Sequence, residues 1–249
     1  MTRSYIIYAS LLITLLLHGC SLNRASLSLK IPEEGFDVVQ HIPVAAEGRD
    51  QNALYIEPRR IKEKEFNSPE LTIYIDSMYS VMLRKAGVGI ASNQLGKRLQ
   101  IFIIEAKSDN PRYKVLGPVV KQVFINPIIT KTSEERKNFW HGCLSAHGEK
   151  RGNVATYEWV EYTCQNEKGE IQHGRLEGFA SVIFQHEFRH MMNGTYLDHA
   201  NHFLPKEELI QKLDAGELPF FELANDTLPL LIEGYVMGER LEEFHSHKK

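Results

Sequence analysis

The pattern of hydrophobic and polar positions predicts an amphipathic helix in the first half of the chain. In "NSPELTIYIDSMYSVMLRKAG", apolar residues recur at the spacing of one helix face: Leu71, Ile75, Met78 and Met82. Ser68 is a candidate N-cap, and Pro69 suits the first helical position. Gly87 is predicted to end this helix, because glycine readily adopts the left-handed conformation of a helix C-terminus.

Apolar runs in the middle of the chain predict strands. Leu99–Ala106 is a continuous run, whereas "QVFINPIIT" is interrupted by Pro127, which predicts an edge strand or a bulge. The stretch "WVEYTCQNEKGEIQHGRLEG" predicts a hairpin with its turn at Asn166–Gly169. Residues 36–65 carry prolines and a glycine and predict loops with short strands.

A second helix is predicted from about Gly178 to Met192, closed by Asn193 and Gly194. One stripe of this helix carries Phe179, Ile183, His186 and His190. The two imidazoles are therefore expected to face the core, where buried polar groups need partners.

Two more helices are predicted after about Leu204. "PKEELIQKLDAG" is typical of a short exposed helix, and "LPLLIEGYVMGERLEEF" of a more apolar one. The final "HSHKK" is expected to be disordered, with both of its histidines in solvent.

The first twenty residues are typical of an export leader. An apolar run of about 13 residues has the length of a secretory core segment and is too short for a comfortable membrane span. The ending "LHGC" resembles a lipoprotein lipobox, which implies lipidation of Cys20. The predicted organisation is a leader at 1–20, a polar tether at 21–35, a catalytic domain at 36–204 and a helical extension at 205–249.

The leader predicts a membrane-anchored, extracytoplasmic protein, or a cytoplasmic one if the leader does not function. An uncleaved anchor is the alternative interpretation of the same residues. The 249 residues are 43% hydrophobic and 24% charged, which is typical of a folded globular protein. A net charge of −3 gives no indication of a nucleic-acid surface, and three cysteines provide no even disulfide framework.

The stretch "QHEFRH" carries the most specific chemistry. His186 and His190 are four residues apart, so on a helix both imidazoles can reach one metal ion. Glu187 lies beside them, where a carboxylate can take a proton from an attacking water molecule. The alternative to a metal site is that both histidines are ordinary core residues whose ring nitrogens are satisfied by hydrogen bonds.

The third metal ligand has more than one candidate. Cys143 in "HGCLS" could supply a thiolate, although an isolated cysteine is more often a packing residue. A metalloprotease of the zincin type would take its third ligand downstream of the helix, where His199 and His202 are available. Gln94, at the end of a run of small residues, is by itself most simply a turn residue.

Taken together, three segments resemble the three motifs of the peptide deformylase family: "GVGIASNQLG" (Gly87–Gly96), "HGCLS" (His141–Ser145) and "QHEFRH" (Gln185–His190). The resemblance covers roughly residues 36–204. It implies an α+β fold, with antiparallel sheets packed around a central metal-binding helix. It also implies a metal-dependent hydrolase that removes the N-formyl group from formyl-methionyl peptides.

The resemblance assigns roles to particular residues. Cys143, His186 and His190 would bind one divalent metal ion, Fe²⁺ or Zn²⁺, and Glu187 would be the general base. The Gln94 side chain and the Leu144 backbone N–H would stabilise the oxyanion. The residues expected to contact the formylated peptide are Gly87, Gly89 and His141.

This chain departs from the family pattern at several positions. His141 replaces a glutamate, Arg189 replaces an aspartate, and Thr156 aligns with an arginine that pairs with that glutamate. These changes affect the surroundings of the site and leave the metal ligands and the base in place. Two alternatives to the deformylase remain open: a diverged, non-catalytic peptide-binding relative, and another metallohydrolase or protease.

Overall fold

The computed structural model describes residues 32, 35–109, 116–146, 150–224 and 227–247. The predicted leader with Cys20, and the tether up to residue 31, lie outside the described residues. Within the described part of the chain, no helix has both the length and the apolar character needed to cross a membrane.

The first helix, α1, spans Pro69–Arg84 and begins as the sequence predicts. The Ser68 hydroxyl accepts a hydrogen bond from the Leu71 N–H at 3.2 Å, which satisfies one of the free donors of the first turn. The end differs by one residue from the prediction, because Ala86 and not Gly87 adopts the left-handed conformation, with φ 52°. The Gly87 N–H then donates to the Met82 carbonyl at 2.9 Å and closes the helix.

The central helix, α2, spans Gly178–Met191, and Asn193 takes the left-handed position after it, with φ 60°. The predicted helix and its C-terminal signal are therefore confirmed. The Gln185 side chain fixes the helix to the neighbouring sheet: it accepts from the Tyr157 N–H at 2.9 Å and donates to the Tyr157 carbonyl at 2.8 Å.

The described strands form two antiparallel sheets. A five-stranded sheet has the order β1-β2-β3-β6-β7, and a four-stranded sheet the order β8-β5-β4-β9. The strand bounds are β1 Gly89–Ala91, β2 Ile101–Ala106, β3 Val119–Thr132, β4 Arg136–His141, β5 Lys150–Tyr157, β6 Trp159–Gln165, β7 Ile171–Glu177, β8 His202–Pro205 and β9 Glu222–Leu223. The predicted hairpin is β6–β7, with its turn at Asn166–Glu170.

Helix α2 lies between the sheets and packs on β1, β2 and β7 of one and on β5 of the other. Its Phe184 is fully buried and meets Phe102 and Phe124 edge-to-face, at centroid distances of 5.1 and 4.9 Å. Helix α1 covers the other face of the five-stranded sheet with a separate apolar cluster. The architecture is thus the α+β arrangement around a central helix that the sequence predicts.

Pro127 does not mark an edge strand, which corrects one part of the prediction. β3 is the central strand of its sheet, and the proline lies in a bulge between Ile125 and Ile128. The bulge places Asn126 in the left-handed conformation, with φ 52°, and buries it to 3% exposure. The Asn126 amide pairs with both backbone groups of Ile61, accepting from its N–H at 2.8 Å and donating to its carbonyl at 2.9 Å.

Replacing Asn126 by alanine is expected to lower the free energy of unfolding by about 3 kcal/mol. Two buried backbone groups of Ile61 lose their partners, at about 1–3 kcal/mol each, and alanine resists the left-handed conformation. Asn126→Gly loses the same hydrogen bonds but accepts the backbone conformation, so it should be the milder of the two. Urea denaturation of both variants measures this difference, and equal losses would contradict the role of the backbone conformation.

The segment 36–65 forms short 3₁₀ turns, Arg49–Gln51, Ala53–Tyr55 and Glu63–Glu65, where short strands are predicted. Its one described bridge to another strand-like segment joins Arg59 to Leu99. Two further 3₁₀ turns in the described part of the chain are Ser92–Leu95 and Tyr196–Asp198.

The C-terminal segment is packed on the core and is only partly helical. Helix α3, Lys206–Asp214, is exposed as predicted, with only Leu209 buried. The second predicted helix is wrong over most of its length. Gly234 and Gly238 adopt φ 81° and 93°, and the chain becomes helical only at α4, Leu241–Ser246. The domain boundary near residue 204 stays a prediction.

His245 is not in solvent, contrary to the expectation for "HSHKK". Its side chain is 5% exposed, and its Nε2 lies 3.0 Å from the Met191 carbonyl at the end of α2. The neighbouring Phe244 packs with Tyr235, which meets Phe188 of α2 edge-to-face at 4.9 Å. The segment that contains Phe244 and His245 therefore packs against the C-terminal end of the central helix.

Candidate metal centre and active site

Three residues from distant segments converge beside α2. Cys143 lies in the turn after β4, and His186 and His190 lie one turn apart on α2. One ligand atom from each residue falls within 4.8 Å of the others. The Cys143 Sγ is 3.3 Å from the Nε2 of His190. The predicted set of candidate ligands is therefore brought together.

The distance between the Cys143 sulfur and the His190 nitrogen fits a tetrahedral metal ion. Bonds of about 2.3 Å to sulfur and 2.0–2.1 Å to nitrogen place a sulfur and a nitrogen ligand about 3.6 Å apart. The observed 3.3 Å is close to that value, and the thiol–imidazole set suits Zn²⁺ or Fe²⁺. Three protein ligands leave the fourth tetrahedral position open, which is the arrangement of a catalytic site rather than a structural one.

His141 lies behind His186. Its side chain is 2% exposed, and its Nδ1 is 3.1 Å from the Nδ1 of His186. This contact occupies Nδ1 of His186 and leaves Nε2 for a metal ion, so His141 orients a candidate ligand. His141 also lines the cavity, and its predicted contact with substrate stays a prediction.

The protonation states of the candidate ligands determine how they bind a cation. Burial, and secondarily the Arg151 cation, lowers the pKa of His186 to about 4. Burial likewise holds the pKa of His190 well below its usual range. Both imidazoles are therefore neutral at pH 7 and can donate electron pairs. Burial of the sulfur raises the pKa of the Cys143 thiol to about 12, so a metal ion has to displace its proton.

Glu187 lies directly beside these ligands and is 3% exposed. Among the described residues, its Oε2 has no hydrogen-bond partner, and burial raises its pKa well above the usual range. A buried carboxyl group without a partner costs free energy, which is typical of a group retained for chemistry. A raised pKa also suits a group that must accept and return a proton near neutral pH.

Gly89 makes room for Glu187. A Cβ atom at Gly89 would overlap the Glu187 carboxylate, whereas a Cβ at Gly87 would meet Leu144 Cδ1 at 3.0 Å. Both glycines line the cavity. The sequence predicts that these glycines leave room for a bound peptide. The structure shows that the missing side chain of Gly89 also leaves room for Glu187, the candidate base.

A Gly89→Ala enzyme is expected to lose about 100-fold in kcat/KM, because the new methyl group displaces Glu187 and a shift of about 1 Å can cost that much. Gly87→Ala is the matched comparison and should lose much less, since a movable leucine methyl can yield. Steady-state kinetics with circular dichroism of both variants makes the test. Equal losses in the two variants would contradict the assignment of Gly89 to the Glu187 position.

Gln94 is held so that its amide nitrogen faces the cysteine. Its Oε1 accepts from the Ala91 N–H at 2.8 Å, which fixes the direction of the amide. Its Nε2 then lies 3.2 Å from the Cys143 Sγ and 3.1 Å from the Ser145 Oγ. Leu144 directly follows Cys143, and among the described residues its N–H donates no backbone hydrogen bond, so both predicted oxyanion donors lie next to Cys143.

A second side chain of the same loop holds the ligand helix. The Asn93 Nδ2 donates to the His190 carbonyl at 2.7 Å, and both residues are fully buried. The glycine-rich loop and the histidine helix are thus joined by a direct protein contact.

Arg151 is a site residue that the sequence analysis missed. It lies on β5, lines the cavity and packs so closely on Gly142 that a Cβ there would overlap its guanidinium. Its charge acts on both Cys143 and His186. Thr156, aligned with a family arginine, is instead buried, with its hydroxyl 3.3 Å from the Lys137 carbonyl. Only the β4–β5 pairing, which sets His141 opposite Gly152, could have indicated Arg151.

Arg189, another departure, directly precedes the candidate ligand His190, and its charge contributes, after burial, to the lowered pKa of that imidazole. Arg189 is 7% exposed, and burial lowers its pKa to about 10, with Asp198 as its principal opposite charge.

The candidate protease ligands do not reach the centre. His202 is exposed and contacts Asn201, and neither His199 nor His202 belongs to the metal-binding group. The third candidate ligand is Cys143.

A thiol and two imidazoles with an open coordination position, next to a buried carboxylate in a cavity of about 310 Å³, define a metal-dependent hydrolase. The model of the polypeptide deformylase family matches residues 49–206. The chain belongs to this family.

Individual relatives of the chain are also peptide deformylases. Peptide deformylase 1 of Bordetella pertussis is 34% identical over 133 residues, which are 53% of this chain and 74% of that protein. A peptide deformylase of Leptospira biflexa is 31% identical over 139 residues, 55% of this chain and 76% of that protein. The crystal structure of an Acinetobacter baumannii peptide deformylase superposes with a TM-score of 0.59 and 28% identity, covering 66% of this chain and 96% of that one.

Proposed function

We propose that this chain removes the formyl group from the N-terminal methionine of peptides, by hydrolysis of the formyl amide bond. The observation that carries the proposal is the convergence of Cys143, His186 and His190 with Glu187 beside them, whose Oε2 has no hydrogen-bond partner among the described residues. The Acinetobacter baumannii relative was crystallised with Met-Ala-Ser bound, which supports a peptide as the ligand of the same cavity.

The residues around the centre divide the chemistry between them. A divalent cation, when bound by the three ligands, supplies positive charge that polarises the formyl carbonyl and makes water more acidic. Glu187 accepts a proton from the attacking water and passes it to the leaving amine. The Gln94 amide and the Leu144 N–H donate to the oxygen that becomes negative, each worth about 3 kcal/mol in the barrier. Gly87 and Gly89 border the space for the peptide backbone.

The proposed metal is Fe²⁺ or Zn²⁺, because a thiol with two imidazoles suits both ions. Elemental analysis of protein purified without oxygen identifies the ion and its stoichiometry. We expect about one ion per chain.

Formate release from formyl-Met-Ala-Ser tests the activity, with the unformylated peptide as the blank. Formate should appear in amounts equal to the new amine. Amide cleavage elsewhere in the peptide, without formate, would favour a protease instead. Binding of the peptide without turnover by metal-loaded protein would favour the non-catalytic relative.

The location of the protein is a separate proposal, supported by the lipobox-like "LHGC" alone. We propose lipidation at Cys20 and an extracytoplasmic domain tethered to the membrane, with a cytoplasmic enzyme as the outcome if the leader does not function. Labelling cells with a radioactive fatty acid compares wild type with Cys20→Ala. Equal labelling of the two proteins would overturn the lipoprotein.

A further inference from the structure

A second cavity lies next to the catalytic one, and α3 forms part of its wall. Its volume is about 330 Å³, close to the 310 Å³ of the catalytic cavity. The two cavities share Phe139, Arg151 and Lys206 in their walls, so they abut. We call the second cavity the α3 chamber. Apart from Lys206, α3 lies beyond the segment that matches the deformylase family model.

The α3 chamber is mostly apolar. Side chains of β4, α3 and the loop after α3 line it: Trp140, Leu209, Ile210, Leu213 and Phe220. A cavity of this size and lining is suited to one large apolar side chain.

The charges of the chamber lie at opposite ends. Lys206 is the first residue of α3 and Asp214 the last, so they are separated by about 12 Å along the helix axis. Arg151 and Lys206 stand where the chamber meets the catalytic cavity. The basic end therefore faces the site, and the acidic end points away from it.

The two cations at the junction are available to a ligand. In the described part of the chain neither Arg151 nor Lys206 forms an ion pair, and both are partly buried. The described walls of the catalytic cavity contain a third cation, Lys85, and a single carboxylate, that of Glu187. The junction thus carries two cations where the two cavities meet, and it complements an anionic group.

We propose that the α3 chamber and its cationic junction bind the C-terminal residue of a short, free formylated peptide. The apolar side chain of that residue enters the chamber, and its α-carboxylate pairs with Arg151 and Lys206. The proposal rests on the proposed deformylase function and names its substrate class. A nascent protein has no free carboxylate a few residues from its formylmethionine, so the junction favours released peptides over ribosome-bound chains.

Four peptides test the proposal on the metal-loaded full chain: formyl-Met-Ala-Leu and formyl-Met-Ala-Ala, each as the free acid and as the C-terminal amide. Formate release gives kcat/KM for each. We expect the acids to exceed the amides about fivefold, an advantage that weakens with added salt. The leucine peptides should exceed the alanine peptides about tenfold.

Two variants, each with a matched control, separate the contribution of the peptide carboxylate from that of the apolar side chain. Lys206→Gln should reduce the acid/amide ratio and leave the Leu/Ala ratio unchanged, whereas Lys212→Gln, elsewhere on α3, should change neither. Leu213→Ser should reduce the Leu/Ala ratio alone, with the exposed Leu223→Ser of β9 as control. Ratios are used because they do not depend on the fraction of folded enzyme.

Wild-type ratios near one would overturn the proposed subsite, and so would ratios that Lys206→Gln and Leu213→Ser leave unchanged. Formate release in the same assays would still support the deformylase function. If no peptide released formate, the deformylase function would fail. Calorimetric binding of the same four peptides would then decide on the chamber, with the same ratios expected in the dissociation constants.

Discussion

Replacing Glu187 by glutamine is expected to lower kcat for formate release by about 10²–10⁴-fold, the usual contribution of a general acid–base group. Glutamine has nearly the same shape and cannot accept the proton of the attacking water. The metal content should remain at the wild-type level, because Glu187 is not among the three candidate ligands. Formate release and elemental analysis on the same preparation measure both quantities.

The same substitution should stabilise the metal-free protein at alkaline pH. Burial raises the pKa of Glu187, so the folded state favours the protonated carboxyl group. Stability from this group is full below the unfolded pKa and falls as pH rises toward the folded one, a loss that glutamine avoids. We expect a higher Tm than wild type at pH 8 and a smaller difference at pH 4. Unchanged activity, or lost activity with lost metal, would remove Glu187 from its proposed role.

Metal uptake in the Glu187→Gln background is expected to release one proton per ion between about pH 6 and 8. The Cys143 thiol, whose pKa is raised to about 12 by burial, loses its proton to bind. His186, whose pKa is lowered to about 4, is already neutral and releases none. The apparent affinity should therefore rise about tenfold per pH unit. Calorimetry in two buffers of different ionisation enthalpy counts the protons.

Cys143→Ala is the control for that count. It should bind the ion without proton release and more than about 100-fold more weakly, since loss of even an outer partner costs 10–100-fold. Formate release should fall in proportion to the bound metal. Release of two protons from the Glu187→Gln protein would mean that one imidazole is protonated before binding, against the lowered histidine pKa values.

Local signals in the sequence were sufficient for α1, α2 and α3 and for the pair of histidines, but not for the second C-terminal helix. Ser68 caps α1 with its own side chain, and Asn193 ends α2 by its left-handed backbone, so sequence alone identifies both. The i, i+4 histidines needed only a helix to become neighbours. Cys143 joined them through the resemblance of its segment to a known motif, because no spacing rule connects residues so distant in the chain.

The errors had different physical causes. Pro127 is tolerated in a central strand because it lies in a bulge, where the strand pairing is interrupted. Gly234 and Gly238 break an apolar run that otherwise has helical spacing. Arg151 reaches the site only through the pairing of β4 with β5, which no single segment reveals.

The bond from Asn93 to the His190 carbonyl joins two of the three motifs without help from an ion. Chelation should consequently leave the enzyme folded, unlike small zinc domains whose fold is created by the ion. Stripped protein should regain full turnover within the time of mixing when cation is returned, because no slow refolding step separates the two forms.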